Sequence, residues 1–75
     1  MNELVSNRVH ERRARAGLTQ EELASAMGVS RQTIISIEKG KYIPSLPLAL
    51  KLARFFGCST DAMFSIGEEV RRCEE

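Results

Sequence analysis

A chain of 75 residues with 43% hydrophobic and 28% charged content has the make-up of one small soluble globular domain. That length permits a single modest core without room for a separate catalytic domain, and no apolar run approaches the ~20 residues of a membrane helix. The net charge of +1 conceals an asymmetry: residues 1–59 hold nine Lys/Arg and five Asp/Glu, whereas residues 60–75 hold two and five, so a basic body carries an acidic tail.

The opening MNELVSNRVHERR lacks the basic-then-apolar order of a signal peptide, which makes the cytoplasm the expected location. Met1 to Val5 reads either as a first helical turn capped by Asn2 or as a short edge strand, because Leu4 and Val5 alone define no period. A first helix is expected to be established by Asn7 and to run to Ala16, with Gly17 as its cap. Val9, Arg13 and Ala16 then share one side. Arg13 on an inward side requires a partner for its charge.

Thr19 and Glu22 stand in the Thr-x-x-Glu spacing that satisfies two free backbone N–H groups at a helix start, so a second helix begins at Gln20. Leu23, Ala24 and Met27 form its apolar stripe, and Gly28 lets the chain leave sharply with positive φ. After Val29, Ser30 caps a third helix, Arg31 to Lys39, which carries Ile34 and Ile37 inward and ends at Gly40. The pattern is helix, three-residue turn, helix, with small Ala24 where two crossing helices approach most closely.

Beyond Gly40, KYIPSL is a loop, with Pro44 disfavouring helix at Ile43 and Ser45 placed to cap a fourth helix that tolerates Pro47 in its first turn. This helix runs to Phe56 and stops at Gly57; Leu48, Leu52 and Phe56, with Ala49 and Ala53 beside them, close the core. Leu50 and Phe55 fall off that stripe and read equally as scattered surface residues or as a partner surface. Ser59 caps a short last helix, Thr60 to Phe64, with Met63 and Phe64 packing inward. The remainder, SIGEEVRRCEE, either frays as a charged tail or forms, through Phe64, Ile66 and Val70, a short strand that meets the N-terminal segment.

GLTQEELASAMGVSRQTIISIEKGKY resembles the central segment of the Cro/C1-repressor, or Xre-type, helix-turn-helix family, and the resemblance spans Val5 to Phe64. It implies an all-α, five-helix, lambda-repressor-like DNA-binding domain over residues 1–64, with a helix-turn-helix at helices 2 and 3. Residues 65–75 are then a charged tail or a short strand of the kind through which some small members dimerise. The resemblance also supplies a partner for Arg13: Glu38 matches the position that pairs with this arginine in the family.

Turning about 100° per residue along helix 3 puts Ile34, Ile37 and Glu38 inward and centres the outer face on Gln32 and Ser36, flanked by Arg31, Thr33 and Ile35. This is the inventory of a major-groove reader: Arg for guanine, Gln for adenine, hydroxyls for either, and a branched apolar side chain for the thymine methyl. Thr19 and Gln20 at the start of helix 2, Ser30 at the start of helix 3, and Lys41 and Tyr42 just past it are the candidates for phosphate. Arg31 suits either role. Useful specificity from so small a reader argues for a homodimer on a palindrome of double-stranded DNA, with half-sites about 34 Å apart.

The expected function is therefore a sequence-specific DNA-binding transcriptional regulator, a repressor acting by occupancy of its operator. Two other readings of the same fold are an antitoxin and a protein-interaction adaptor, each with an unknown protein partner. No enzyme is expected, since His10 has no recognisable nucleophile motif and no phosphate-binding glycine loop is present. No cofactor or metal is expected either: Cys58 and Cys73 are isolated, and metal sites want clustered ligands.

Overall fold

A computed structural model describes residues 5–66. In chain order these residues form β1 (Val5–Asn7), α1 (Val9–Arg15), α2 (Gln20–Met27), α3 (Arg31–Glu38), α4 (Leu46–Phe55), α5 (Thr60–Met63) and β2 (Phe64–Ile66). Five helices thus enclose the core, and the two strands pair antiparallel with Val5 opposite Ile66 and Asn7 opposite Phe64.

Hydroxyl caps fix where the helices start. Thr19 accepts the Glu22 N–H at 3.0 Å while the Glu22 carboxylate accepts the Thr19 N–H at 2.8 Å, which closes the expected capping box. Ser30, Ser45 and Ser59 accept from the third residue of α3, α4 and α5 in the same way. Between α2 and α3 the chain turns at Gly28 with φ 77°, and the Val29 N–H returns to the Ala24 carbonyl at 3.0 Å. That left-handed turn points α3 across α2 at the point where the side chain is only a methyl group.

The buried set is Val9, Leu23, Ala24, Met27, Ile34, Ile37, Leu48, Leu52, Ala53 and Met63 among the described residues. Val29, Phe56, Cys58 and Phe64 pack against it half-buried. Fully burying each larger aliphatic side chain stabilises the fold by about 1.5–3 kcal/mol, and these come from every helix, so no helix can leave without exposing core. Lys51 adds a tie that the periodicity does not announce: its ammonium donates to the Met27 carbonyl at 2.9 Å, holding the end of α2 against α4.

Five boundaries differ from the periodicity reading, the smallest being that α3 ends at Glu38 with Lys39 as its capping residue. The first helix starts at Val9 because Asn7 is taken by the sheet, where its side chain accepts the Val9 N–H at 3.0 Å and donates to the Ile37 carbonyl at 2.9 Å. Ala16 is exposed, since α1 ends one residue earlier and the chain has begun to turn away. α4 ends at Phe55, with Phe56 as its capping residue. Phe64 leaves α5 to begin β2, its backbone extended at φ −124° and ψ 143°. The strand alternative for Phe64 and Ile66 is the one adopted, and its partner is the N-terminal segment; the readings placed on residues 1–4, on Val70 and on Cys73 lie outside the described residues.

Candidate nucleic-acid interface

The outer face of α3 carries Arg31 and Gln32 exposed, with Thr33, Ile35 and Ser36 half-buried. Gln32 is not free to sweep: its amide donates to the Ser36 hydroxyl at 3.3 Å, one turn along the same face. The Thr33 hydroxyl is likewise held, 3.0 Å from that of Ser30. A shallow recess of about 350 Å³ is lined by Ser30, Gln32, Thr33, Ser36, Lys41 and Tyr42. Six of the sequence candidates therefore meet in one concave strip, and it joins the face of α3 to the first residues after it.

Lys41 reaches that strip because α3 ends in a tight reversal. Gly40 takes φ 76° and the Lys41 N–H returns to the Ser36 carbonyl at 2.9 Å, which folds the chain back over the last turn of the helix. Ile35 is not part of this lining.

Arg31 faces the other way. It lines a second recess, of about 540 Å³, with Arg13, Leu18, Thr19, Gln20 and Glu21 at the start of α2. The structure thus places Arg31 with the two phosphate candidates Thr19 and Gln20 and apart from Gln32 and Ser36. Two recesses flank α3, one at its N-terminal end and one along its length toward Tyr42.

A partly buried ionic cluster joins α1, α2 and α3 beside the second recess. The Arg13 guanidinium donates to both oxygens of Glu38, Nε to Oε2 at 2.7 Å and Nη2 to Oε1 at 3.2 Å, and its Nη1 donates to the Leu18 carbonyl at 2.8 Å. The side chains are 13% and 6% exposed, so the pair is withdrawn from water and is not two solvated charges. Gln20 enters the same cluster by donating from Nε2 to Oε1 of Glu38 at 3.2 Å. One N–H of that amide is thereby committed, and its second N–H is the donor left for a ligand in the recess.

Burial by itself pushes the Glu38 carboxyl up, but the hydrogen bonds from Arg13 and Gln20 and the charge of Arg13 outweigh it and hold the group below its ordinary value. The hydrogen bond to Glu38 raises Arg13 in turn, against the opposing effect of burial. His10 completes the cluster, with Nδ1 3.0 Å from Arg13 Nη2 and 3.4 Å from Glu38 Oε1. Sequence reading passed over it, although a residue three before Arg13 on one helix lies on the same face, which was the signal available.

Chemically the surface offers amide, hydroxyl, guanidinium and ammonium donors along α3, beside the Arg13–Glu38 pair. Among the described residues there is no group of three or more His, Cys, Asp or Glu positioned for a metal ion, and no helix is long and apolar enough to cross a membrane.

A helix-turn-helix family model matches residues 9–63. An uncharacterised HTH-type transcriptional regulator of Methanocaldococcus jannaschii is 57% identical over 60 residues, spanning 80% of this chain and 91% of its own. The cryptic phage CTXphi transcriptional repressor RstR of Vibrio cholerae is 34% identical over 65 residues, spanning 87% of this chain and 59% of the repressor. Among solved structures, the SOS-response transcriptional repressor LexA of Eubacterium rectale superposes with a TM-score of 0.69 at 31% identity, over 72% of this chain and 57% of that one.

Proposed function

The chain belongs to the helix-turn-helix family, whose model it matches over residues 9–63, and from that premise we propose that it represses transcription by binding a palindromic operator in double-stranded DNA as a homodimer. Its relatives include an HTH-type transcriptional regulator and a phage transcriptional repressor, which supports the regulatory part of this reading. The observation that carries the finer reading is the continuous strip from α3 to Tyr42, where groove-reading and phosphate-binding side chains share one recess.

In this reading α3 enters the major groove. Gln32 and Ser36, already hydrogen-bonded to each other, present a paired amide and hydroxyl to base edges, with Thr33 beside them and Ile35 against a thymine methyl. Lys41 and Tyr42 grip the phosphates on one side of the groove. Gln20, Thr19 and Arg31 grip those on the other, with Gln20 supplying its uncommitted N–H and Arg31 a charge. Ser30 is held as a cap and contributes through its recess position alone. The protein acts where its operator is, in the cytoplasm, and needs no cofactor to do so. Residues 1–64 are the reading domain in this account, and β2 carries its last residue together with Ser65 and Ile66 of the segment 65–75.

Selection from a randomised duplex pool, followed by titration against salt, tests this directly. An enriched palindrome with half-sites one helical turn apart and a steep salt dependence is the expected result. Salt-sensitive binding without any motif would leave a non-specific DNA protein, and no binding at all would favour the adaptor.

A further inference from the structure

We infer that Glu38 is the positioning residue for Gln20: its carboxylate turns the Gln20 amide so that the nitrogen, and not the carbonyl oxygen, is fixed beside the recess where a DNA phosphate is received. This role rests on the operator-binding reading and names the group that prepares one of its phosphate contacts.

An amide side chain ends in an oxygen and a nitrogen of nearly equal size, so packing alone does not choose which of them faces a neighbour. An ionised carboxylate does choose, because it accepts hydrogen bonds and donates none. Arg13 holds Glu38 by donating to Oε2 at 2.7 Å and to Oε1 at 3.2 Å. Those two bonds leave acceptor capacity on Oε1, and Gln20 Nε2 uses it at 3.2 Å. His10 Nδ1 is 3.4 Å from the same oxygen but closer to Arg13 Nη2, at 3.0 Å, where it stands opposite an N–H donor and accepts. Were the Gln20 amide reversed, its carbonyl oxygen would face an anionic oxygen with no proton between them. The charge of a residue on α3 thus decides which end of a side chain on α2 is presented.

Both ends of Gln20 are determined in this way. Its backbone is the first residue of α2, directly after the Thr19 cap, and the Thr19–Glu22 box closes that turn around it. Its amide is tied to Glu38 on the next helix. Direction matters at this recess because charge alone gives little guidance there. Arg13, Glu21 and Arg31 line it, and Arg13 is paired with Glu38, so two cations stand against two anions. With the formal charges cancelling, a phosphate is held by donors aimed at it, and the second N–H of Gln20 is one of them. A phosphate oxygen gains from that N–H and would be repelled by a carbonyl in its place. Fixing the amide in the free protein also removes part of the ordering cost from the binding step.

The test is a double-mutant cycle on DNA affinity with Glu38→Gln, Gln20→Ala and the double variant, at a temperature where thermal melts show each of them folded. Titrations use the operator duplex selected by wild type and a random duplex. An amide at position 38 keeps the size of the side chain but no longer accepts from every donor around it, so it ceases to dictate the orientation of Gln20. Each single variant is expected to bind both duplexes about fivefold more weakly than wild type. Glu38→Gln added to Gln20→Ala is expected to cost less than about twofold more, because the group it positions is already gone. A merely structural role for Glu38 would give the same loss with or without the Gln20 side chain, and that additive result would overturn the inference, as would wild-type affinity in Glu38→Gln. Side-chain amide NMR of the wild type supplies a readout that does not depend on any variant folding. In the free protein one Nε2 proton of Gln20 is expected to be shifted downfield and slow to exchange, and on adding duplex the other is expected to move. Two ordinary, freely exchanging protons would overturn the inference. A wild type that binds no duplex would refute the operator reading and take this role with it, whereas DNA binding without coupling would leave that reading standing and remove this role alone.

Discussion

Arg13 of α1 and Glu38 of α3 meet through two hydrogen bonds at the point where the start of α2 also arrives, and the Gln20 amide shares the same carboxylate. The joint between three helices is therefore ionic, whereas the rest of the core is aliphatic. Removing one member leaves the other partly buried without its opposite charge, which costs about 1–3 kcal/mol, less than for a fully buried pair. Glu38→Ala and Arg13→Ala are each expected to lower unfolding free energy by about that amount in urea titrations, while a paired Met/Met replacement recovers most of it. His10, with its side chain 69% exposed, is expected to change stability by less than about 0.5 kcal/mol when replaced by Ala.

The same carboxylate gives stability a pH dependence of defined sign. Glu38 is held below its ordinary 4.5 in the fold, so its contribution is complete above that value. As pH falls through the depressed folded value, the native state must take up a proton that the unfolded chain has already bound, and the contribution is lost. Glu38→Gln is expected to be less stable than wild type at pH 7 and to lose that disadvantage progressively below about pH 4.5. Thermal melts of both proteins across pH 3–7 measure it, and parallel curves would be the contrary result.

Base reading and phosphate binding are expected to separate by mutation. Gln32→Ala and Ser36→Ala relax base preference at individual operator positions, each by about 1–3 kcal/mol of discrimination. Lys41→Ala weakens operator and random DNA alike and lowers the salt slope by about one ion. Binding to a panel of single-base operator variants at two salt concentrations distinguishes the two classes, and equal losses on all sequences from all three substitutions would refute the division.

Gly28 isolates a backbone effect. A methyl group there would meet nothing within 4 Å, so any cost of Gly28→Ala comes from φ 77° alone. The expected loss is about 1–2 kcal/mol, with Gly28→Asn costing less because Asn tolerates the left-handed region. Should Ala prove neutral in chemical denaturation, the turn would have to have changed conformation.

The helical part of this fold was legible because it is written locally. Capping hydroxyls, the Thr19–Glu22 box and glycines at helix ends act over three or four residues, so spacing alone fixed α2, α3 and α4 to within a residue. The sheet was legible only as an alternative, since Val5 and Ile66 become partners at opposite ends of the described chain. The Arg13–Glu38 pair came from resemblance, and in the structure the two side chains lie 2.7 Å apart. The engagement of Gln20 and His10 with Glu38, and the turn of Arg31 away from Gln32, depend on how three helices converge, which one-dimensional periodicity does not encode.

The strand pair also governs the order in which the molecule assembles. Every helix contact between neighbours in sequence can form early, whereas β1 and β2 must wait until both ends of the described chain have been brought together, at the largest loop-closure cost the fold contains. With three residues each, the strands return little for that cost. Their closure cost makes them the expected last part to zip, and Asn7, whose amide donates to the Ile37 carbonyl, ties β1 to the end of the helix that faces DNA in our proposal.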